Sequence, residues 1–244
     1  MKVLVVSDIH GNIEALRAVA AAEPGVDRVI CLGDIVDYGP APGATVRWVR
    51  GHAWAAILGN HDHAIAFGVD CRSAPRFRQL SVVTRQHTVP MLSAEELDFL
   101  KGLPTSMRLE VDGLRLALVH AAPGDPLFQY LPAADRAEWT RQVAPLDADL
   151  VLVGHTHLPA LFEAGGTRVL NPGSVGLQRD QDPRAACAVI EDGEPALKRV
   201  AYDVDKTLRA LWEWGLPHDV ARSLERIYRG DGPLEVKKEP WSKA

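Results

Sequence analysis

The sequence predicts a mixed α/β fold, and the prediction depends on two features. Six short apolar runs each end in a polar cluster, and a helical stretch usually follows. Buried strands of this kind form a sheet whose carboxyl edge collects the polar clusters, which is where open α/β sheets bind ligands. Asp112-Gly113 and Gly165-Gly166 each separate two alternating runs as hairpin turns, so part of the sheet is predicted to be antiparallel.

The predicted elements follow in chain order. The six apolar strands are residues 3–6, 29–32, 55–58, 116–119, 150–153 and 169–170. An apolar stripe from Ile13 to Ala20 predicts the first helix. A capping box from Ser93 to Glu96 predicts the start of another helix, which Gly102 and Pro104 close.

The C-terminal part is predicted to consist of two packing helices within about residues 205–229. Leu208, Leu211 and Trp212 form the apolar stripe of the first, and the second follows Pro217. After them, residues 231–244 contain charge and two prolines but no apolar period. This composition predicts a loosely held tail, with Trp241 as its candidate anchor.

The whole chain is predicted to form a single domain over residues 1–230, with a helical insert at about 63–104. The insert carries four arginines between residues 70 and 87: Arg72, Arg76, Arg78 and Arg85. These arginines form either a solvated helix face, which is favoured, or a cap facing the substrate.

Composition narrows the class of protein. A formal net charge of -5 offers no broad basic surface, so a nucleic-acid polymer is a disfavoured partner. Three scattered cysteines without CxxC spacing favour a reducing, cytoplasmic location. Neither a signal peptide nor an apolar run of about 18 residues is found, so no membrane association is expected. Oligomeric state stays open.

Seven candidate metal ligands lie at the ends of the predicted strands. They are Asp8, His10, Asp34, Asn60, His120, His155 and His157. Asp8 and His10 are separated by one residue, so at an extended strand end both side chains should point to the same side. Imidazole and oxygen donors favour Mn, Fe, Zn, Co or Ni over Mg and Ca, with Mn as first choice.

The charge of such a centre indicates its reaction. Two divalent ions bring four positive charges against two from Asp8 and Asp34, so the centre stays cationic even with a bridging hydroxide and attracts anions. A metal pair can lower the pKa of bound water and stabilise in-line displacement at phosphorus. Hydrolysis of a small-molecule phosphate ester by the metal-bridged hydroxide is the predicted function.

The strand-end motifs resemble those of the calcineurin-like metallophosphoesterases. That family carries DxH, GD, GNH[DE], a lone downstream His and GHxH, and all five occur here in order over roughly residues 1–190. The run Asn171-Pro172-Gly173-Ser174-Val175 is further similar to the small bacterial phosphodiesterases of the family. The resemblance implies an αββα sandwich of two mixed sheets flanked by helices.

The resemblance also implies residue roles. Asp34 would bridge two metals, and the other ligands divide into Asp8, His10 and His157 at the first metal and Asn60, His120 and His155 at the second. His61 would act as general acid for the leaving oxygen or as an electrostatic stabiliser of the transition state. Asp62 would orient the His61 ring, and a plain helix N-cap is the equal alternative for Asp62.

The substrate class is predicted from a departure from the protein serine/threonine phosphatases. In those enzymes an Arg follows the Val-Asp of the second motif, whereas Tyr38 follows it here. A monoester dianion benefits from such a guanidinium more than a diester monoanion does, which favours diesters of small or nucleotide-like substrates. Arg179 or Arg184 is a replacement cation, and Asn12 and Tyr38 are further candidates for substrate contact, although Asn12 is more typical of a helix cap.

Two other functions stay open at this stage. Within the same class, the chain could be a phosphomonoesterase or a protein serine/threonine phosphatase. From another class, it could be a non-catalytic scaffold that binds proteins with the same fold. An intact His61 and a complete ligand set argue against the scaffold.

Overall fold

The computed structural model describes residues 1–232, and all structural statements concern that part of the chain. It contains ten strands: β1 (Lys2–Val6), β2 (Arg28–Cys31), β3 (Ala55–Ala56), β4 (Ser106–Val111), β5 (Leu114–Val119), β6 (Leu150–Leu152), β7 (Ala160–Ala164), β8 (Thr167–Asn171), β9 (Ala185–Glu191) and β10 (Glu194–Val200). Its eight α-helices are α1 (Ile13–Ala22), α2 (Pro42–His52), α3 (Asn60–Phe67), α4 (Pro75–Thr88), α5 (Ala94–Lys101), α6 (Arg136–Val143), α7 (Val204–Glu213) and α8 (His218–Tyr228).

The strands form two five-stranded mixed sheets. The first has the order β10-β9-β1-β2-β3 and the second β4-β5-β6-β8-β7. Strands β1, β2 and β3 are parallel, as are β5, β6 and β8. Strand β9 is antiparallel to both of its neighbours, β1 and β10, while β4 is antiparallel to β5 and β7 to β8. The predicted mixed α/β class is confirmed. The six polar clusters, however, follow strands of two sheets and not of one.

Two sheets form because the parallel strands are apolar on both faces, and each face needs a covering layer. Val3 and Val5 of β1 point into the layer between the sheets, where they meet Leu150 and Leu152 of β6. Leu4 of β1 points to the other side, toward α1 and α2. Helix α6 covers the outer face of the second sheet. The αββα sandwich is therefore confirmed.

Both predicted hairpin turns are present. Asp112 and Gly113 have φ values of 50° and 80° and join β4 to β5. Gly165 and Gly166, with φ values of 57° and 85°, join β7 to β8. Two consecutive left-handed residues match the right-handed twist of the flanking strands, which is why Asp-Gly and Gly-Gly suit these positions.

The helical caps follow the predicted chemistry in two places. Ser93 Oγ accepts a hydrogen bond from Glu96 N at 3.2 Å, and Glu96 Oε2 accepts one from Ser93 N at 2.9 Å, which completes the capping box of α5. Asn12 Oδ1 accepts from Ala15 N at 3.1 Å at the start of α1. Residues 63–104 contain α4, α5, most of α3 and a short 3₁₀ turn at Val89–Met91.

The C-terminal helices α7 and α8 pack against α4. Leu208, Leu211 and Leu224 are buried there together with Phe77. The predicted apolar stripe is wrong at Trp212, which stays 42% exposed because it lies at the border of the packed face and contacts the His218 ring. The predicted tail and its anchor Trp241 lie outside the described residues, apart from 231 and 232.

Within residues 1–232, every helix is too short or too polar to cross a lipid bilayer.

Candidate metal centre

The structure brings the predicted ligands together where the ends of the two sheets meet. Their ligand atoms form two groups in which all atoms lie within 4.8 Å of one another: Asp8, His10, Asp34 and His157 in one, and Asp34, His120 and His155 in the other. Asp34 belongs to both groups. Its Oδ2 lies 3.6 Å from His10 Nε2 and 3.3 Å from His120 Nε2.

Asn60 completes the second group through its amide oxygen. Asn60 Oδ1 lies 3.0 Å from His120 Nε2 and 3.0 Å from His155 Nδ1. The amide is oriented because Asn60 Nδ2 donates a hydrogen bond to the carbonyl oxygen of Cys71 at 2.6 Å. The oxygen, and not the nitrogen, therefore faces the imidazoles.

The backbone at the ligands is left-handed. Five ligands have a positive φ: Asp8 (52°), His10 (46°), Asp34 (52°), His155 (64°) and His157 (62°). For residues other than glycine this conformation costs about 1–3 kcal/mol each, and such residues cluster at functional sites. The extended geometry expected at Asp8 and His10 is therefore wrong. Their side chains converge because the chain turns at these residues, and hydrogen bonds from Asp8 N to Gly33 O and from His10 N to Asp34 O join this loop to the loop after β2.

Three imidazoles are oriented by backbone carbonyls. His10 Nδ1 donates to Val36 O at 3.0 Å, His120 Nδ1 to Leu32 O at 2.7 Å, and His157 Nδ1 to Leu177 O. A carbonyl only accepts, so Nδ1 carries the proton and Nε2 presents its lone pair to the centre. The Nε2 atoms of His10 and His157 lie 3.3 Å apart. Two lone pairs that face each other in this way are stabilised by a cation between them.

The protonation of the ligands follows from burial and charge. Burial lowers the pKa of His10 to about 3 and raises the pKa of Asp8 to about 6. Burial also lowers the pKa of His120, but the charge of Asp34 outweighs it and brings the pKa to about 9. Asp34 itself has its pKa held well below the usual value, because His120 and His61 outweigh its burial. A positive charge between Asp34 and His120 is therefore stabilised by the Asp34 carboxylate.

These residues fit divalent metal ions. Asp8 Oδ1 is buried without a hydrogen-bond donor among the described residues, and it lies 3.3 Å from His157 Nε2. Carboxylate, amide oxygen and imidazole together form the donor set typical of transition metals in hydrolases. The three cysteines, Cys31, Cys71 and Cys187, are free, and none is in either group.

Two glycines of the motifs are needed for close approach. A Cβ on Gly59 would lie 2.1 Å from Asp34 Oδ1, and one on Gly154 would lie 2.0 Å from Ser7 Oγ and 2.9 Å from Asp8 Oδ2. All three distances are shorter than van der Waals contact. The glycines therefore let the loops approach the two carboxylate ligands.

His61 is oriented by Asp37, so the predicted role of Asp62 is wrong. His61 Nδ1 lies 2.7 Å from Asp37 Oδ2. Asp62 instead accepts hydrogen bonds from Ile35 N and Val36 N at Oδ1 and from Gly59 N at Oδ2. Asp62 lies in the first turn of α3, where its side chain turns back to the free backbone N–H groups. It supports the loops on which Asp34 and Asn60 are located.

A cavity of about 110 Å³ opens over the centre. Its floor contains Asp34, Asn60, His61, His155 and His157, and its walls contain Arg72, Phe128, Tyr130 and Arg179. Arg179 is half-buried, its guanidinium carbon lies 4.1 Å from the Phe77 ring centroid, and burial lowers its pKa. Arg72 lies 4.3 Å from the Phe128 ring centroid. Among residues 1–232, neither arginine forms a salt bridge, so both charges are available to an anion.

The other candidate substrate residues do not line this cavity. Asn12 is fully buried, and its side chain caps α1 and donates to Gly176 O and Tyr202 Oη, so the expected substrate contact is wrong. Tyr38 is fully buried, with its ring 4.9 Å from that of His10 and 4.8 Å from that of His61. Because Tyr38 does not line the cavity, its substrate contact stays a prediction. Arg184 pairs with Asp182 at the surface.

The sequence analysis gave no role to two residues of the site. Asp37 lies in the second motif, directly after Val36. That position is the signal from which a role for Asp37 could have been predicted. Tyr130 has no motif around it and reaches the cavity from the loop between β5 and α6. Arg72 belongs to the arginine-rich segment, and it is the member of that segment that lines the cavity.

Fold and site together define a metal-dependent phosphoesterase, a class of hydrolases. The chain belongs to the calcineurin-like phosphoesterase superfamily, because the model of that superfamily domain matches residues 1–193. The resemblance found in the motifs is thereby confirmed.

Three individual proteins are similar to this chain over nearly its whole length. A metallophosphoesterase from Sphaerobacter thermophilus has a crystal structure that is 32% identical, with a TM-score of 0.79, over 92% of this chain and 98% of that one. An uncharacterized protein of Methanocaldococcus jannaschii is 29% identical over 93% of this chain and 98% of its own length. A hypothetical protein from Pyrococcus horikoshii, at 22% identity and a TM-score of 0.78, covers 91% of this chain and 97% of that one and shares the fold.

A shorter match concerns a protein with a named activity. The symmetrical bis(5'-nucleosyl)-tetraphosphatase of Yersinia pestis is 33% identical over 130 residues, which are 50% of this chain and 42% of that protein.

Proposed function

We propose that this protein is a phosphodiesterase that hydrolyses small or nucleotide-like phosphate esters with two divalent metal ions. The observation that carries the proposal is the position of Asp34, whose carboxylate belongs to both groups of ligand atoms. A carboxylate shared in this way is what two adjacent metals require as a bridge. The nucleotide-like character is supported by the partial match to the tetraphosphatase, whose name specifies a dinucleoside substrate.

Seven side chains would hold the metals, with Asp34 between them: Asp8, His10 and His157 on one side, and Asn60, His120 and His155 on the other. When bound, the metals would supply Lewis acidity at the phosphoryl oxygens and a nucleophile at neutral pH. Mn is the first choice among the transition metals that suit these donors.

His61 would protonate the leaving oxygen. It lies in the floor of the cavity, and its backbone N–H donates to Asp34 Oδ1 at 2.8 Å, which places it directly beside the bridging ligand. Asp37 holds the Nδ1 side of its ring, so the proton for the leaving oxygen would come from Nε2. A general acid in this position contributes typically about 10²–10⁴-fold to the rate.

Arg179 would bind a non-bridging oxygen of the phosphate. It places one guanidinium in the wall of the cavity over the centre, whereas Tyr38 stands in the sequence where the protein phosphatases have an Arg. Arg72 lies farther out, as an exposed side chain on the cavity wall. One half-buried cation suits the single negative charge of a diester, which supports the preference for diesters over monoesters.

Two chromogenic substrates test the proposal. Purified protein loaded with Mn should hydrolyse bis-p-nitrophenyl phosphate with a higher kcat/KM than p-nitrophenyl phosphate. A higher kcat/KM for the monoester would overturn the preference for diesters and favour the phosphomonoesterase alternative. Absence of hydrolysis with either ester across Mn, Fe, Zn, Co and Ni would overturn the proposed activity and favour the scaffold alternative.

A further inference from the structure

A second cavity, of about 340 Å³, adjoins the cavity over the metal centre. Tyr130 lines both cavities, with its ring centroid 6.2 Å from that of His155. We call the second one the apolar cavity. Its walls include Leu131, Trp139 and Phe162 as well as Tyr130.

One short segment separates the two cavities. His155 faces the cavity over the metal centre, whereas its neighbours Gly154 and Thr156 line the apolar cavity. The left-handed backbone at His155, with φ of 64°, allows neighbouring residues to line the two different cavities. A ligand that reaches past Tyr130 can therefore occupy both cavities at once.

The apolar cavity contrasts in charge with its neighbour. None of its lining residues is Asp, Glu, Lys, Arg or His, whereas the cavity over the metal centre is lined by an aspartate, three histidines and two arginines. Its polar side chains are already paired, since Asn171 Nδ2 donates to Thr156 Oγ1 at 3.0 Å and to Gly154 O at 2.7 Å. Asn171 Oδ1 accepts from Gly173 N. Recognition there depends on apolar contact and not on hydrogen bonds.

We propose that the apolar cavity binds an aromatic ring carried by the phosphate ester whose phosphate occupies the metal centre. The inference rests on the proposed function and deepens it by naming the substrate class, an aryl or nucleobase-bearing phosphoester. The charge contrast matches such a molecule, which is anionic at one end and apolar at the other.

The walls of the apolar cavity suit a flat ring. The Trp139 and Phe162 rings meet edge to face, with centroids 5.6 Å apart. Trp139 is held in place by a hydrogen bond from Nε1 to Pro132 O at 3.1 Å. Tyr130 is 51% exposed at the border and offers a free ring face. Aromatic walls that are already ordered bind a ring with little loss of side-chain freedom.

Binding of two non-hydrolysable phosphonates tests the inference. Phenylphosphonate and methylphosphonate carry the same anionic group, and calorimetry with Mn-loaded protein measures both without turnover. We expect phenylphosphonate to bind about 10- to 100-fold more tightly, because its ring leaves water. Equal affinities would overturn the apolar cavity as a subsite and leave the proposed function intact. If neither compound bound, the phosphoester site itself would be refuted.

A matched pair of variants tests whether the aromatic ring binds in the apolar cavity. Ala133 is half-buried and lines the apolar cavity, and Ala137, four residues later, is exposed and does not line it. Ala133→Trp fills the cavity and should bring the affinity ratio of the two phosphonates close to one, whereas Ala137→Trp should keep the ratio of the wild type. A wild-type ratio in Ala133→Trp, with circular dichroism confirming that the variant is folded, would rule out the apolar cavity as the binding place of the ring.

Discussion

His61 Nδ1 and Asp37 Oδ2 are 2.7 Å apart in a pair that is buried from solvent. Asp37 Oδ1 in turn accepts hydrogen bonds from Thr84 Oγ1 at 2.6 Å and from Tyr38 N at 2.9 Å. The carboxylate is thereby fixed from two elements, and the ring of His61 has one orientation. Asp37 is a positioning residue that acts through His61.

Asp37→Asn should lower kcat by about 10- to 100-fold and leave KM and metal content close to wild type. The amide lacks the negative charge that stabilises the His61 imidazolium, so proton donation from His61 becomes inefficient. Steady-state kinetics with a diester that has a poor alcohol leaving group, and elemental analysis of the same sample, check this.

Asp62→Asn is the matched control, because Asp62 is an equally buried carboxylate one residue from His61. Asp62 accepts three backbone N–H groups, so an amide there leaves at least one of them without an acceptor. The free energy of unfolding should fall by about 1–3 kcal/mol. A larger loss of kcat in Asp62→Asn than in Asp37→Asn would contradict our assignment of the orienting residue.

His61→Ala should retain both metals and lose turnover by about 10²-fold or more, since its proposed role is proton donation. The readout is kcat for esters with leaving groups of different pKa. The loss should be larger for a poor alcohol leaving group than for p-nitrophenol, which departs without a proton. An equal loss for both would argue for an electrostatic role of His61.

The clustering of the candidate metal ligands was predictable because each follows a buried strand, and the sequence pattern alone places Asp8, Asp34 and His120 at strand ends. The partner of His61 was not predictable in the same way. Asp62 follows His61 directly, whereas Asp37 is 24 residues away along the chain, and the left-handed backbone at Asp37, with φ of 73°, helps to direct its carboxylate to the ring. A residue pattern does not encode that turn.

The tertiary arrangement of the loops also could not be predicted from the sequence. Tyr130 and Arg72 reach the site from segments without a motif, and their positions depend on how the two sheets and α4 pack. The division of six strand ends between two sheets had the same origin. Apolar runs report that both faces of a strand are covered, but they do not report which layer covers them.

Asp34→Ala should release metal from the whole centre, because Asp34 belongs to both groups of ligand atoms. Bound metal per chain should fall below half of the wild-type value when the protein is dialysed and analysed by mass spectrometry. Asp98→Ala, which removes an exposed carboxylate on α5, should keep the wild-type content. Unchanged metal content and activity in Asp34→Ala would remove this residue from the bridging position.

Arg179→Gln should lower kcat/KM for bis-p-nitrophenyl phosphate by about 10- to 100-fold, because a charged hydrogen bond to the phosphate is lost in a partly desolvated site. Arg184→Gln is the control, since Arg184 is exposed and paired with Asp182. Comparable losses in the two variants would show that the effect comes from net charge and not from contact at the cavity.

Gly154→Ala should lower both the free energy of unfolding and the affinity for metal. The two effects should come from different contacts of the new Cβ. The new Cβ would lie 2.0 Å from Ser7 Oγ and 2.9 Å from Asp8 Oδ2. Such overlap costs typically about 1–3 kcal/mol of stability. Ser7 Oγ has no hydrogen-bond partner among the described residues, so Ser7→Ala alone should be nearly neutral.

The double variant Ser7→Ala/Gly154→Ala removes the contact with Oγ, keeps a milder one with the Cβ of residue 7 at 3.1 Å, and keeps the contact with Asp8 Oδ2. Its free energy of unfolding, measured by urea denaturation, should return most of the way to wild type, whereas its metal affinity, measured by calorimetry, should stay lower because the Asp8 carboxylate remains displaced. Recovery of both quantities together would show that Gly154 matters only for packing. Recovery of neither would show that the contact with Ser7 Oγ is not the cause of the lost stability.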